Sequence, residues 1–270
     1  MKTEVFKRND FLECEKKIPI IVAQENGKLV FEDLRELETL LVVGKPGTPR
    51  CPFVHSVVAS VFLKCLAENV KLLLIDFAAL ELVKYDFLSH TKMTLSDFEV
   101  EGVVCGNEKC LYSLDRLAKE VVYRYHKIKE TGAKDIEEFN EKSEAKMPYI
   151  VCIVEYAHKV KKKDVQIVQD YIKQISEFAK ETGVCLVYSM NKVNTSTVYG
   201  EEYDLVSKEM LDCFSSKIIF RVDDDKKLLS GFDTSEFEHR EHWFKKQNGD
   251  LNKFEMPFIS DEEFSEIFDK

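Results

Sequence analysis

Several features are scarce in this 270-residue chain, and each absence narrows the functions open to it. No apolar run reaches the roughly 18 residues that a membrane-spanning helix needs. The first residues, Met1 to Arg8, hold no apolar segment of the kind found in signal peptides. The eight cysteines form no Cys-x-x-Cys pair, which disfavours a structural zinc site. We therefore expect a cytoplasmic globular protein without membrane insertion, whose cysteines are reduced and mostly buried.

Positive charge is also in short supply. Asp and Glu number 49 against 39 Lys and Arg, so the net charge is −10. A molecule with this charge repels nucleic-acid phosphates and needs a local basic surface to hold them. A protein that coats DNA over its whole surface is therefore excluded, whereas local contact with DNA stays open.

What is present is an alternation of apolar runs with amphipathic stretches. Apolar residues at helical spacing predict helices over residues 113–131 and 164–182. Five apolar runs are typical of buried strands: residues 40–43, 72–75, 149–154, 184–188 and 218–222. Strands that alternate with helices in this way predict an α/β fold with a mostly parallel central sheet flanked by helices.

The N-terminal part carries a different signal. Asn26-Gly27 lies between two short apolar runs, and this dipeptide favours the two-residue turn of a β-hairpin. Residues 1–17 before it are mostly charged. We predict an N-terminal extension over residues 1–17, followed by a single domain over residues 18–270 that begins with a small β-hairpin.

The segment after the first core strand is the first candidate site, because ligands of open parallel sheets lie at the carboxyl ends of the strands. A phosphate-binding loop has the pattern G-x-x-x-x-G-K-[ST]. Gly44 matches its first glycine. Pro49, Arg50 and Cys51 stand where the second glycine, the lysine and the hydroxyl residue are needed.

Each replacement alters a different feature that phosphate binding requires. Proline lacks an N–H group and fixes φ. Arginine keeps the charge of lysine, but its planar fork is larger. A thiol is a poor ligand for Mg²⁺, which prefers oxygen. One interpretation is a proline-stiffened turn that only connects strand and helix. The other is a loop that still binds ATP and Mg²⁺ as cofactors through Gly44, Gly47, Thr48, Pro49, Arg50 and Cys51.

Three further stretches are distinctive when taken together. Residues 72–85 contain L-L-L-I-D followed by L-E-L and Y, residues 124–151 run from R-Y to M-P-Y-I-V, and residues 259–263 are I-S-D-E-E. In this order and spacing they resemble the motor domains of FtsK/SpoIIIE DNA translocases over about residues 18–265. The resemblance implies a RecA-like P-loop NTPase fold, and it implies ATP hydrolysis and hexamer formation as properties of the family.

The resemblance also implies where the catalytic residues should lie. The family's acidic Asp-Glu pair aligns with Glu155 and Tyr156, and a tyrosine cannot accept a proton near neutral pH. Its sensor-like Gln-Arg aligns with Asn191 and Lys192. The arginine that reaches a neighbouring subunit's nucleotide aligns with Leu229, which cannot stabilise phosphoryl-transfer charge.

One pair of histidines outside these motifs is a candidate metal site. His239 and His242 are three residues apart, a spacing that would place both on one face of a helix beside carboxylates. Nothing else in the sequence converges on them. We therefore expect surface histidines and no metal.

Three functions stay open. The first is an FtsK/SpoIIIE-like protein that does not hydrolyse ATP and works by binding a protein partner or itself. The second is a weak ATP-dependent DNA translocase that uses Arg50, Glu155 and Lys192 as substitutes. The third is a passive DNA-binding module, for which salt-sensitive binding to duplex DNA would be diagnostic.

Overall fold

The computed structural model describes residues 4–156, 162–191, 196–198, 201–203, 206–222, 231–247 and 249–268. Of these, only the backbone is described for residues 156, 162, 196–198 and 201–203. The strands are β1 (Pro19–Glu25), β2 (Lys28–Asp33), β3 (Thr39–Val43), β4 (Val70–Asp76), β5 (Met93–Leu95), β6 (Phe98–Val100), β7 (Val104–Cys105), β8 (Tyr149–Tyr156), β9 (Val184–Met190), β10 (Ser196–Val198), β11 (Glu201–Tyr203), β12 (Ser216–Phe220), β13 (Glu241–Lys245) and β14 (Leu251–Glu255). The α-helices are α1 (Asn9–Leu12), α2 (Leu34–Leu37), α3 (Arg50–Lys64), α4 (Asn107–Glu130), α5 (Ile136–Lys142), α6 (Lys162–Thr182), α7 (Lys208–Asp212) and α8 (Asp261–Phe268).

One large sheet organises the molecule. Its strand order is β2-β1-β14-β13-β12-β3-β9-β8-β4-β7. The six strands from β12 to β7 run parallel. The other four strands, β13, β14, β1 and β2, continue the sheet beyond β12, and each is antiparallel to its neighbours. Two separate hairpins, β5–β6 and β10–β11, lie outside this sheet. The predicted α/β class with a mostly parallel central sheet is confirmed, and each of the five predicted strands lies in the parallel part.

The parallel strands are apolar because helices cover both of their faces. Along β3, Leu40 and Val42 face the cluster that contains α3, whereas Leu41 and Val43 face the cluster that contains α4 and α6. All of these side chains are fully buried. Burial on both faces is why the sequence shows continuous apolar runs here and no polar–apolar alternation.

The predicted N-terminal hairpin is confirmed. β1 pairs with β2, and the two turn residues Asn26 and Gly27 have φ values of 49° and 79°. This left-handed backbone is what a two-residue hairpin turn requires. The hairpin meets the rest of the sheet through the pairing of Gln24 with Glu255 on β14.

The expectation of two surface histidines on a helix face is wrong for His242. This residue lies on the strand β13, and its side chain is fully buried. Its ring centroid is 5.0 Å from that of Phe220, the residue opposite it on β12. The charged and polar residues before His242 gave no strand signal in the sequence. The side chain is buried because β13 pairs with β12 inside the sheet. His239 is exposed, as expected.

Residues of the predicted N-terminal extension pack against the end of the chain. Val5, Phe6 and Phe11 are buried. The backbone N–H of Phe6 donates to Glu263 Oε1 at 2.8 Å, and its ring lies 6.1 Å from that of Phe264 on α8. The two termini of the described chain therefore cover the same part of the core.

Among the helices that the structure describes, none combines the length and the apolar character that crossing a membrane requires.

Candidate nucleotide-loop site

The loop that follows β3 lies in the middle of the parallel sheet. β3 has β12 on one side and β9 on the other. The N–H of Gly44 donates to the carbonyl of Met190 at the end of β9, at 3.2 Å. The N–H of Lys45 donates to the carbonyl of Arg221 just after β12, at 3.0 Å. The sheet therefore holds the start of the loop from both sides.

The loop then closes on itself. The N–H and hydroxyl of Thr48 both donate to the carbonyl of Lys45, at 3.2 and 2.7 Å. A Cβ atom at Gly44 would lie 2.6 Å from Thr48 Oγ1 and 2.8 Å from Phe220 Cβ, so only glycine fits there. Gly47 has a φ of 86°, in the left-handed region that favours glycine. Both glycines are thus explained by the local fold, and the Thr48 N–H is engaged within the loop.

Helix α3 starts directly after this turn. Pro49 is its N-cap residue and accepts from the N–H of Phe53 at 2.8 Å. Because proline has no N–H, the position donates no hydrogen bond to a ligand. Burial raises the pKa of the neighbouring Cys51 thiol to about 12, so this side chain is neutral. A neutral thiol offers little to a hard cation.

The side chain of Arg50 points into the protein and forms an ion pair with Glu155 at the end of β8. Its Nη1 atom donates to Glu155 Oε2 at 2.6 Å and to Oε1 at 2.9 Å. Arg50 is 6% exposed and Glu155 is 5% exposed. Two opposite charges removed from water in this way depend on each other, since either one alone would be buried without compensation.

The electrostatics of this pair follow from burial and contact. Burial raises the pKa of the Glu155 carboxyl, against the attraction of the guanidinium. Burial is the largest influence on Arg50 and disfavours its charge, but Glu155 and the other nearby acidic groups together more than offset it, so the pKa of the guanidinium is raised. Arginine stays charged at any pH at which the protein is folded. The guanidinium of Arg50 is therefore charged, and its two hydrogen bonds favour the ionised carboxylate of Glu155 against the effect of burial.

The sequence did not reveal a third member of this cluster, Ser189. Arg50 Nη1 also donates to the Ser189 hydroxyl. β8 and β9 are parallel neighbours that place Glu155 directly opposite Ser189. The available signal was a hydroxyl residue within the otherwise apolar strand β9, two residues before Asn191.

Two more polar residues that sequence reasoning did not single out lie beside the start of α3. Glu81 Oε2 is 3.6 Å from Nε2 of His55, one helical turn after Cys51. The contact with His55 lowers the pKa of Glu81 to about 2, although partial burial opposes it. Glu81 lies in the loop after β4, 26 positions from His55 in the sequence, so no local sequence pattern could show this contact.

The other predicted site residues have different outcomes. Asn191 is half-buried and follows β9 directly. Tyr156 ends β8, but its side chain is outside the described part of the structure. Lys192 and Leu229 also lie outside the described residues. Of the predicted positions, the structure therefore brings together the loop from Gly44 to Cys51 and Glu155.

Comparison with known sequences identifies relatives. The FtsK/SpoIIIE family model matches residues 3–194. The chain is 26% identical over 203 residues to a DNA translocase FtsK of Clostridium tetani, covering 73% of this chain and 26% of that relative. It is 24% identical over 285 residues to a DNA translocase FtsK of Leptospira interrogans, covering 99% of this chain and 28% of that relative. The chain thus spans about a quarter of the length of these curated relatives.

Solved structures with the same fold include the pCW3 conjugation coupling protein TcpA in its monomer form with ATPgS. The TM-score is 0.74 at 15% identity, over 97% of this chain and 72% of that one. The cytoplasmic domain of the type VII secretion ATPase EccC of Thermomonospora curvata gives a TM-score of 0.66 at 13% identity, over 94% of this chain and 31% of that one. At these identities the likeness concerns the fold alone. It confirms the predicted RecA-like P-loop NTPase architecture.

Proposed function

Since this chain belongs to the FtsK/SpoIIIE family, we propose that it is a binding or regulatory relative of the DNA translocases that does not hydrolyse ATP efficiently. The observation that carries this proposal is the buried ion pair between Arg50 and Glu155. By the resemblance to the family, these are the positions of the phosphate-binding lysine and of the carboxylate that acts on Mg²⁺. In this chain the two side chains bind each other.

The energetic consequence supports the proposal. A phosphate that drew Arg50 away would leave Glu155 buried without its partner. Separating a buried ion pair costs about 3–5 kcal/mol. A nucleotide would have to recover this free energy from other contacts in the loop before it gained any affinity.

The remaining loop residues do not fit a magnesium–nucleotide complex. Pro49 has no N–H for a phosphate oxygen, and the Thr48 N–H already donates to Lys45. Cys51 offers a neutral thiol at the position where a hydroxyl would bind Mg²⁺. At the position of the water-polarising glutamate the chain has Tyr156, a residue that holds its proton near neutral pH. These residues therefore supply neither the Mg²⁺ ligand nor the general base that ATP hydrolysis needs.

Without ATP hydrolysis, the protein keeps the fold of its family and can act by binding through its surfaces. We propose that a cytoplasmic protein partner, or self-association, supplies its function, because fold and chemistry can be separated in this way. The curated relatives are DNA translocases, so contact with DNA is part of the proposal, restricted to a local surface by the net charge of −10.

Calorimetric titration with ATP and Mg²⁺ tests this proposal. The wild-type protein should give no saturable heat of binding, because Arg50 and Glu155 satisfy each other. A variant with Pro49→Gly, Arg50→Lys, Cys51→Thr and Glu155→Asp restores the family pattern and should bind. Mg²⁺-dependent binding to the wild-type protein, with turnover above that of a matched Arg50→Ala control, would refute the proposal.

A second candidate is a weak ATP-dependent DNA translocase that uses Arg50, Glu155 and Lys192 as substitutes. The observation in its favour is that Arg50 and Glu155 do meet at the carboxyl ends of the strands, where a working site would lie. It predicts hydrolysis that duplex DNA stimulates and that Glu155→Gln abolishes. Absence of DNA-stimulated hydrolysis at saturating ATP would reject it.

A further inference from the structure

The outward face of α4 carries an ordered series of tyrosines and cations. The buried side of this helix, with Leu114, Leu117 and Val121, packs into the core. On the opposite side, residues three or four positions apart form a row that we name the α4 stripe: Lys109, Tyr112, Arg116, Lys119, Tyr123 and Lys127. At a rise of 1.5 Å per residue the stripe is about 27 Å long. None of its six residues is acidic, although Asp115 and Glu130 of the same helix contact its cations.

The two tyrosines are exposed but held in place. Tyr112 is 44% and Tyr123 is 48% exposed. The Arg116 guanidinium lies 4.8 Å from the centroid of the Tyr112 ring, and the Phe98 ring packs against the same ring in a T-shaped arrangement with 4.9 Å between centroids. Lys127 Nζ lies 6.0 Å from the centroid of the Tyr123 ring. Rings fixed before binding lose little entropy on binding, which is typical of residues that anchor protein interfaces.

Three cations of the stripe are paired with carboxylates at the surface. Arg116 contacts Asp97 at 2.8 Å, Lys119 contacts Asp115 at 2.6 Å and Lys127 contacts Glu130 at 3.2 Å. Ion pairs at the surface contribute only about 0–1 kcal/mol, so carboxylates of a partner can replace or join these contacts at low cost.

We propose that the α4 stripe is the docking surface for an acidic polypeptide of a partner protein. Partner carboxylates would contact Arg116 and Lys119 at the centre of the stripe, between the two tyrosines that provide apolar contact area. Tyrosine and arginine are enriched at the energetic centres of protein interfaces. A length of about 27 Å matches one helix of about 18 residues.

Nucleic acid fits this surface less well. Base stacking needs a free ring face, whereas Arg116 and Phe98 both contact the ring of Tyr112. The exposed carboxylates of Asp97 and Glu130 flank the stripe and would lie against phosphates. A carboxylate-bearing protein surface meets the same cations at a lower charge density, and its uncharged residues can lie beside Asp97 and Glu130.

The inference rests on the proposed binding role and names the chemistry of the partner. It does not depend on the nucleotide loop, because α4 carries none of the loop residues. Mg²⁺-dependent ATP binding with turnover in the wild-type protein would therefore refute the proposed function without touching this inference, and the following experiment can fail while the calorimetric result stands.

The test uses a fluorescein-labelled peptide of glutamate interspersed with alanine as the probe and fluorescence anisotropy at low ionic strength. The full chain should bind the probe, and Arg116→Glu combined with Lys119→Glu should weaken binding by about tenfold or more. Tyr123→Ala should weaken it by about threefold, because the probe's methylene groups lose an apolar contact. The matched control reverses two exposed lysines elsewhere, Lys28→Glu with Lys173→Glu, and should retain most of the affinity despite the same change in net charge.

The inference is overturned if the α4 variant and the control lose affinity equally, since that would indicate an unspecific charge effect. It is also overturned if the stripe variant instead loses binding to duplex DNA or poly-dT. A loss of self-association in light scattering, with unchanged binding of the glutamate–alanine peptide, would assign the stripe to a second copy of this chain and overturn the inference as well.

Discussion

At the residue scale, the ion pair between Arg50 and Glu155 decides how the site behaves. Each side chain is buried, and each is the main compensation for the other's charge. Removing one partner of such a pair is costly, whereas replacing both by apolar residues often leaves stability unchanged or improves it. The pair can therefore be examined through stability without any ligand.

We predict that Arg50→Ala and Glu155→Ala each lower the free energy of unfolding by about 3–5 kcal/mol. The double variant Arg50→Met with Glu155→Leu should have nearly wild-type stability or exceed it, because no charge is left buried alone. Urea denaturation followed by circular dichroism measures all three. Additive losses in the double variant would show that the two side chains do not form the pair described here.

His242 gives the protein a predictable sensitivity to acid. Burial lowers the pKa of this imidazole from 6.5 to about 4. Between these values the unfolded chain binds a proton that the folded chain does not, so stability falls as the pH falls from about 6.5 to about 4. His242→Phe should flatten this part of the stability–pH curve. His239→Gln, which changes the exposed member of the pair, should retain the wild-type curve.

At the element scale, Asp76 organises the loop that follows β4. Its carboxylate accepts from the backbone N–H groups of Ala78, Leu80, Glu81 and Leu82 at 2.8 to 3.0 Å. The loop that Asp76 fixes in turn places Glu81 against His55 on α3. A residue that the family resemblance matched only as part of a motif thus has a structural role of its own.

Asp76→Ala should destabilise the protein by about 2–4 kcal/mol, since several backbone donors lose a charged acceptor. Asp76→Asn keeps one carbonyl oxygen at the same place and should cost less. Amide hydrogen exchange of residues 77–82 provides the local measurement. Equal protection of this loop in the wild-type protein and in Asp76→Ala would contradict the role.

At the scale of the whole molecule, the first residues belong to the same packed unit as the last helix. Phe11 packs against Phe6 at 5.1 Å between ring centroids, and Phe6 in turn contacts Phe264 on α8. Asp10 accepts from the N–H of Leu29 on the outer strand β2, which also protects that edge of the sheet. The N-terminal segment therefore packs on the domain and covers part of one edge of its sheet.

Phe11→Ala should lower the free energy of unfolding by about 3–5 kcal/mol, because the side chain is 1% exposed and its removal leaves a cavity. The neighbouring Leu12→Ala is the control, since Leu12 is 57% exposed and its removal should change stability by less than about 0.5 kcal/mol. Thermal and urea denaturation measure both. Similar losses for the two variants would mean that the segment is not anchored as described.

The sequence alone predicted the strands of the parallel sheet, helices α4 and α6, and the first hairpin, because each has a periodic or turn signal that lies within a few adjacent residues. It did not predict β13 and β14. The buried positions of β13 are His242 and Phe244, and the polar His242 hides their alternation from a hydropathy pattern, whereas β14 has no buried position. The chemistry of Pro49 and Cys51 was likewise predictable, since a missing N–H or a thiol is a property of the residue itself.

Which groups meet was decided only by the tertiary structure. Arg50 and Glu155 are 105 positions apart, and their contact exists because β3, β9 and β8 are neighbours in the sheet with their carboxyl ends together. The burial of His242 and the anchoring of Phe6 on α8 depend in the same way on long-range pairing. Local periodicity fixes which elements form, but contacts between distant elements depend on strand order and register, which a single sequence does not encode in any one segment.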